Sequence, residues 1–154
     1  MEANGQALLD ELDALALSLD GKASAFLMNR DMLTKVRGIA RRAGYYERTT
    51  DSFGNPVETF NGIPMINLEQ FFNGSKSVDV IPTTSGKTDI YAVRIAQDGF
   101  HGISPTGTKI INSYMPDLTL PGAVKEGEVE LVAGVVLKNT RAAAVLRGVT
   151  IKGA

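Results

Sequence analysis

Apolar residues recur along this chain with two different periods, and the switches between them mark the elements. From Asn4 to Leu19, Leu8, Leu12, Leu15 and Leu19 fall at spacings of four and three, with Leu9 beside them and Asp10, Glu11 and Asp13 on the other side. That spacing predicts one face of an amphipathic helix. Asp20-Gly21 ends it, because glycine adopts the left-handed conformation of a helix terminus at little cost. Ala25-Phe26-Leu27-Met28 is a short apolar run of strand type. Asn29 follows as an N-cap, able to accept from an unsatisfied backbone N–H, and Asp31 suits the positive end of the helix dipole. Met32, Leu33, Val36, Ile39, Ala40 and Ala43 then form a second helical stripe, with Arg41 and Arg42 in the last turn and Gly44 just beyond. A strand running directly into a capped helix is the best-determined local unit.

Beyond Gly44 the period shortens. Residues 45–50 and 57–60 flank the turn-rich stretch 51–56 and predict a hairpin. Asn61-Gly62 predicts a second turn, and Ile63-Pro64-Met65-Ile66 an extended piece whose proline belongs at a sheet edge. Residues 73–77 and 84–88, rich in Gly, Ser and Lys, read as surface loops. Asp89 to Ala96 has the β-branched and aromatic content of a strand, and Thr108 to Tyr114 is a weaker candidate. Glu126, Glu128 and Glu130 alternate with Gly127, Val129 and Leu131 before the apolar run Val132 to Leu137. The pattern predicts one long strand, half exposed and then covered on both faces. Thr140 to Arg147 reads as a short helix and Val149 to Lys152 as a last strand. No repeat is present.

Composition narrows the class. The 154 residues are 44% hydrophobic and 21% charged, with a net charge of −1. That balance belongs to one folded domain, or one domain with a small annex, and argues against a strongly basic nucleic-acid binder. The chain has no cysteine and a single histidine, His101. Disulfides, thiolate metal sites, cysteine nucleophiles and multi-histidine zinc sites within one chain are therefore excluded. No apolar stretch approaches the length of a membrane span, and the acidic N-terminus lacks a signal peptide's basic region. The composition leaves a soluble, intracellular domain of mixed helix and strand.

Charge is unevenly placed. Residues 1–21 hold Glu2, Asp10, Glu11, Asp13 and Asp20 and no base, whereas residues 29–48 hold six bases against Asp31 and Glu47. From residue 138 onward there are Lys138, Arg141, Arg147 and Lys152 and no acid. Complementary patches of this kind allow copies to tile head to tail, although solvated helix faces carry such charges as well.

Catalytic patterns are sparse. Asp98, His101 and Ser104 are the only neighbouring members of a triad-like set, and a glycine-rich loop gives them no rigid scaffold. Ser85-Gly86-Lys87-Thr88 ends like a phosphate-binding loop, but position 81 is isoleucine where the motif needs glycine, and a strand follows instead of a helix. Glu126, Glu128 and Glu130 line one strand face, where a solvated or intersubunit role outweighs divalent-ion binding. The basic helix lacks interleaved aromatics and a helix-turn-helix partner.

What is familiar is the order of segments. Ala23 to Arg37, an apolar strand ending in Met-Asn-Arg and opening a basic helix, resembles a segment of tailed-phage major capsid proteins with the HK97-like fold. Phe60-Asn-Gly-Ile-Pro-Met-Ile66 is similar to their F-N-G-I-P segment. Asp89 to Gly102 (Asp-Ile-Tyr-Ala-Val-Arg-Ile-Ala-Gln-Asp-Gly-Phe-His-Gly) is similar to their S-I-Y-A-V-R … D-G-V-H-G strand and loop, and Val129 to Ile151 to their closing strand. Together these cover most of residues 20–151.

The resemblance implies an α+β fold of the HK97-like capsid A (axial) domain. It comprises a central mixed or antiparallel sheet, two main helices and a C-terminal return to the P (peripheral) domain sheet. Residues 1–21 would lead in from the P-domain half, 22–124 would form the A domain, and 125–154 the long strand, short helix and final strand of the return. Such coat proteins are about twice this length, so the chain is expected to be a C-terminal fragment, a truncated gene or a proteolytic core, monomeric or weakly associating on its own. The implied role is structural, in a phage or prophage virion with assembly in the host cytoplasm: no enzyme, no cofactor, and no catalytic or metal-binding residue. Partners would be hexamer and pentamer neighbours of the same kind, with scaffolding or portal proteins, no membrane and no specific nucleic acid. Some family members crosslink a lysine to an asparagine; no such role falls on Lys138 or Asn139. The alternatives are an encapsulin-like compartment shell, or a small ligand-binding or hydrolase domain centred on residues 98–104.

Overall fold

A computed structural model describes residues 3–44, 47–50, 54, 56–107, 109–116, 118–119 and 121–151. The chain divides into two compact units: Met1–Phe100 with Leu137–Ala154, and His101–Val136.

The first unit is built on a six-stranded sheet and two helices. Its elements in chain order are α1 (Ala3–Leu17), β1 (Ala25–Met28), α2 (Arg30–Ala43), β2 (Glu47–Thr50), β3 (Pro56–Phe60), β4 (Ile63–Asn67), β5 (Gln70–Phe72), β6 (Ser77–Asp79) and β7 (Lys87–Val93), with β12 (Ala143–Thr150) closing it. The order across the sheet is β12-β7-β1-β4-β3-β2. β1 and β4 run parallel while the other pairs are antiparallel, so the sheet is mixed. The last strand, β12, lies beside β7 in this sheet.

Both helices cover one face. Leu8, Leu9, Leu12, Leu15 and Leu19 from the first segment and Met32, Val36 and Ile39 from α2 are buried with Phe26, Met28, Phe60, Met65, Ile90 and Ala92 of the sheet. These are the stripe positions that the helical spacing picks out. Phe26 and Phe60 meet with their planes tilted by 53° and 6.5 Å between ring centroids, within the range of favourable aromatic pairs. On the opposite face Val145, Tyr91, Leu27 and Ile66 stand side by side across four strands; Leu27 is partly exposed and the other three exposed.

Asn29 caps α2 as expected, its Oδ1 accepting from the Met32 N–H at 2.9 Å, and Gly44 closes the helix at φ 78°. The sequence did not disclose the other end of that side chain. Asn29 is buried, and its Nδ2 donates to the Thr88 hydroxyl at 3.0 Å and the Thr83 hydroxyl at 2.9 Å. One amide thereby ties the start of α2 to the start of β7.

Four expectations need correction here. Pro64 does not lie in an edge strand, since β4 sits between β1 and β3. It is tolerated because Phe60 and Ile63 flank the Asn61-Gly62 turn as the hydrogen-bonded pair. Thr59 and Pro64 are then a pair that needs no N–H, and the β1 ladder begins only at Met65. Residues 77, 87 and 88 belong to strands; the loops are confined to 73–76 and 84–86. The strand expected over 89–96 is β7, which runs from Lys87 and ends at Val93. Thr140 to Arg147 is not a helix: a single 3-10 turn at Thr140–Ala142, capped by Asn139, leads into β12. Its Ala-Ala-Ala-Val-Leu-Arg segment has helical propensity, but pairing along β7 outweighs it. Of the hairpin expected over 45–60, β2 and β3 pair as foreseen, whereas residues 45, 46, 51–53 and 55 lie outside the described residues.

The second unit consists of two-stranded ribbons. β9 (Ile111–Tyr114) pairs antiparallel with β10 (Glu128–Leu131). β8 (Phe100–Ile103) pairs with β11 (Gly134–Leu137), both strands starting or ending at the unit's boundary. The long strand expected over 126–137 is thus two strands, separated at Val132-Ala133, and it is exposed rather than covered on both faces. Residue 108, at the start of the strand expected over 108–114, lies outside the described residues, as does Lys152; the separate last strand expected over 149–152 does not form, Val149 and Thr150 being the end of β12.

Candidate assembly surface

None of the described residues of the second unit is buried, yet the unit is rich in large apolar side chains. Their exposure runs from 42% at Val132 to 84% at Met115. The register of the β9–β10 ribbon sorts them. Val129 lies opposite Ser113 and Leu131 opposite Ile111, so these share one face; Glu128 opposite Tyr114 and Glu130 opposite Asn112 share the other. The alternation of glutamates with Val129 and Leu131 was legible in the sequence. What was missed is that the apolar face is exposed, with Ile111 at 59%, Val129 at 72% and Leu131 at 63%. β11 carries a further exposed side chain, Val135, and β8 carries Ile103, packed near the backbone of Gly134. A two-stranded ribbon is marginal in water unless another layer covers its apolar face.

The chemistry-bearing residues singled out from the sequence are placed otherwise. Asp98 is held by Arg94 through two hydrogen bonds of 3.0 and 2.8 Å. His101 lies in β8, not in a loop, and its Nδ1 is buried without a hydrogen-bond partner. The base–orienter contact of a triad is therefore not made, and Ser104 is exposed past the end of β8. Asp98-Gly99 forms a turn, with the Gly99 N–H donating to the Ala96 carbonyl at 2.9 Å. A Cβ on Gly99 would fall 2.8 Å from the Arg94 carbonyl oxygen, so this position requires glycine. The hydrogen bonds to Asp98, and then the carboxylates of Asp98 and Asp20, push the Arg94 pKa above its ordinary value.

Ser85 and Gly86, at φ 51° and 74°, make the tight turn between Thr84 and Lys87, and a strand follows. Thr88 is buried on Asn29. Glu126 precedes β10, and the Glu130 carboxylate accepts from Asn112 at 3.5 Å. Among the described residues no group of three or more potential ligands is gathered for a metal ion. α2 spends part of its charge internally: Arg37 pairs with Glu58 at 2.6 Å, and Lys35 donates to the Thr150 carbonyl. At the start of α2 a groove of 510 Å³ is lined by charges of both signs, among them Arg30, Asp31, Glu69 and Asp79. Among the described residues no helix is long and apolar enough to cross a membrane.

With this geometry in hand, the fold finds a counterpart among solved structures. The cryo-EM structure of the holo-SrpI encapsulin complex from Synechococcus elongatus PCC 7942 is similar over 94% of this chain and 50% of that one, at a TM-score of 0.67 and 20% sequence identity. The chain has the HK97-like fold of that protein and spans about half its length. No family model and no curated protein matches the sequence.

Proposed function

We propose that this chain is part of the subunit of an icosahedral shell, acting by self-assembly into hexamers and pentamers. The observation that carries the proposal is the second unit, an apolar surface with no layer over it in a chain of HK97-like fold. Its large apolar side chains stand 42–84% exposed, and copies of the chain are the cover that a shell supplies. In this reading residues 22–124 act as the axial domain, and residues 125–154 lead back to its sheet through β12.

The four ordered sequence segments favour a tailed-phage or prophage major capsid protein. Its site of action would be the virion, with assembly in the host cytoplasm and with portal or scaffolding proteins as further partners. A second reading, an encapsulin-like compartment, is favoured by the structural match. The contents of purified particles separate the two: packaged DNA supports the capsid, an enclosed protein cargo the compartment.

Shell formation itself is tested by electron microscopy of the whole gene product. Uniform closed particles are expected. A product that stays monomeric at every concentration overturns the proposal. The ligand-binding alternative centred on residues 98–104 is tested by His101→Ala, which is expected to leave particles unchanged and to abolish no activity or affinity.

A further inference from the structure

Two of the three Asn-Gly pairs in the chain lie in turns of the first unit, and the turns hold them differently. An asparagine before glycine is open to attack by the following main-chain nitrogen on its own side-chain carbonyl carbon, since no Cβ crowds that nitrogen. Asn61-Gly62 joins β3 to β4 in a tight turn closed by Phe60 and Ile63, both turn residues being left-handed at φ 51° and 69°. The Asn61 Nδ2, which would have to leave, donates to the Asp13 carboxylate on α1. Asn73-Gly74 opens the loop between β5 and β6. There the contact is made at the other atom: Asn73 Oδ1 accepts from the Ser75 N–H at 3.1 Å and from the Lys76 N–H at 3.0 Å. Neither the Asn73 Nδ2 nor the Gly74 N–H has a partner among the described residues, and the space around Gly74 is open.

We propose that Asn73 is a site of self-modification, at which the side-chain amide is lost and a carboxylate takes its place. The Gly74 nitrogen forms a bond to Asn73 Cγ, and the charge that develops on Oδ1 is held by the Ser75 and Lys76 N–H groups, as in an oxyanion hole. The Cγ–Nδ2 bond then breaks, and Nδ2 departs as ammonia with the proton that Gly74 gives up through solvent. Water opens the resulting cyclic imide at one carbonyl or the other. The products are aspartate and isoaspartate, the second with an extra methylene in the main chain; water is the only co-reactant. Isoaspartate takes the acceptor away from Ser75 and Lys76 and lengthens the loop. The β5–β6 ribbon is held by the pairs Gln70–Asp79, Phe71–Val78 and Phe72–Ser77, and so short a ribbon is marginal in water. The change therefore loosens the strand that carries Phe71 and Phe72, already 52% and 69% exposed. The chemistry needs no shell and stands or falls apart from the shell reading.

Cleavage after Arg48 and Lys76 releases one peptide bearing both asparagines, so each serves as the other's control. The purified protein is held in mildly alkaline buffer at body temperature, with a parallel sample in urea, and the peptide is sequenced by mass spectrometry over time. In the folded protein Asn73 is expected to convert about tenfold faster than Asn61, a factor that orientation of the reacting groups supplies, and in urea the two rates are expected to converge. Equal rates in the folded protein overturn the proposal. So does a ratio that urea leaves unchanged, which would assign it to neighbouring sequence rather than to the turn. Asn73→Ser keeps a side-chain acceptor for the turn without the amide. Chymotryptic cleavage beside Phe71 and Phe72 is expected to rise with age in the unmodified protein and to stay constant in this variant; a rise in both, or in neither, overturns the loosening of the hairpin.

Discussion

Asn29 does three things with one side chain: it caps α2 and bonds two threonines far along the sequence. Losing a cap costs about 1 kcal/mol, and leaving the buried Thr88 hydroxyl without its donor adds about 1–3 kcal/mol. Asn29→Ala is therefore expected to lower stability by about 2–3 kcal/mol, measured by urea denaturation. A loss under 1 kcal/mol would show that the Thr83 and Thr88 contacts contribute nothing. Two glycines contrast in kind. Gly44 has open space around a would-be Cβ, and its φ of 78° is the whole difficulty, so Gly44→Ala is expected to cost about 1–2 kcal/mol of conformational strain. Gly99→Ala meets the Arg94 carbonyl at 2.8 Å and the Ala142 methyl at 3.1 Å. The backbone must shift, and the loss is expected at about 3 kcal/mol, at the upper end of overpacking costs; thermal melts of the two variants side by side check the order. Arg94 contributes no pH dependence in the ordinary range. Its pKa is raised, so the stabilisation from its pairing with Asp98 is fully present below the unfolded value and fades only in strong alkali.

At the scale of elements, the helices and the strands that touch them follow from periodicity. Leu12 is fully buried in the centre of α1's stripe, and Leu12→Ala is expected to cost about 2–5 kcal/mol. Against a total of about 5–15 kcal/mol, that is enough to move a denaturation midpoint visibly. These segments were legible because a single face decides their fate: Leu8, Leu12, Leu15, Met32 and Val36 all point where their spacing says. The rest failed where pairing partners decide instead. Residues 143–147 have helical composition but lie along β7, and nothing local reveals that neighbour. Pro64 was assigned to an edge because proline lacks an N–H, yet register places it where no N–H is used. The run Val132 to Leu137 was read as covered because apolar strands usually are. A strand whose cover belongs to another copy has the same sequence as one covered by its own chain. That ambiguity hid most of the candidate surface, while the alternation at 126–131 disclosed one ribbon face of it.

For the whole molecule, the consequence of apolar side chains spread over short, narrow ribbons is weak association of the chain in isolation. Sedimentation velocity of the 154-residue chain at micromolar concentration is expected to show mainly the 16.4 kDa monomer. A stable ring of five or six copies under those conditions would contradict that expectation. In a closed shell each contact is used many times over, and contacts too weak singly become strong together. The central claim, that this fold exists to tile, is tested most directly by electron microscopy of the whole gene product after purification. Closed particles of uniform diameter are the expected result; a monodisperse soluble protein that forms no particles at any concentration would contradict it.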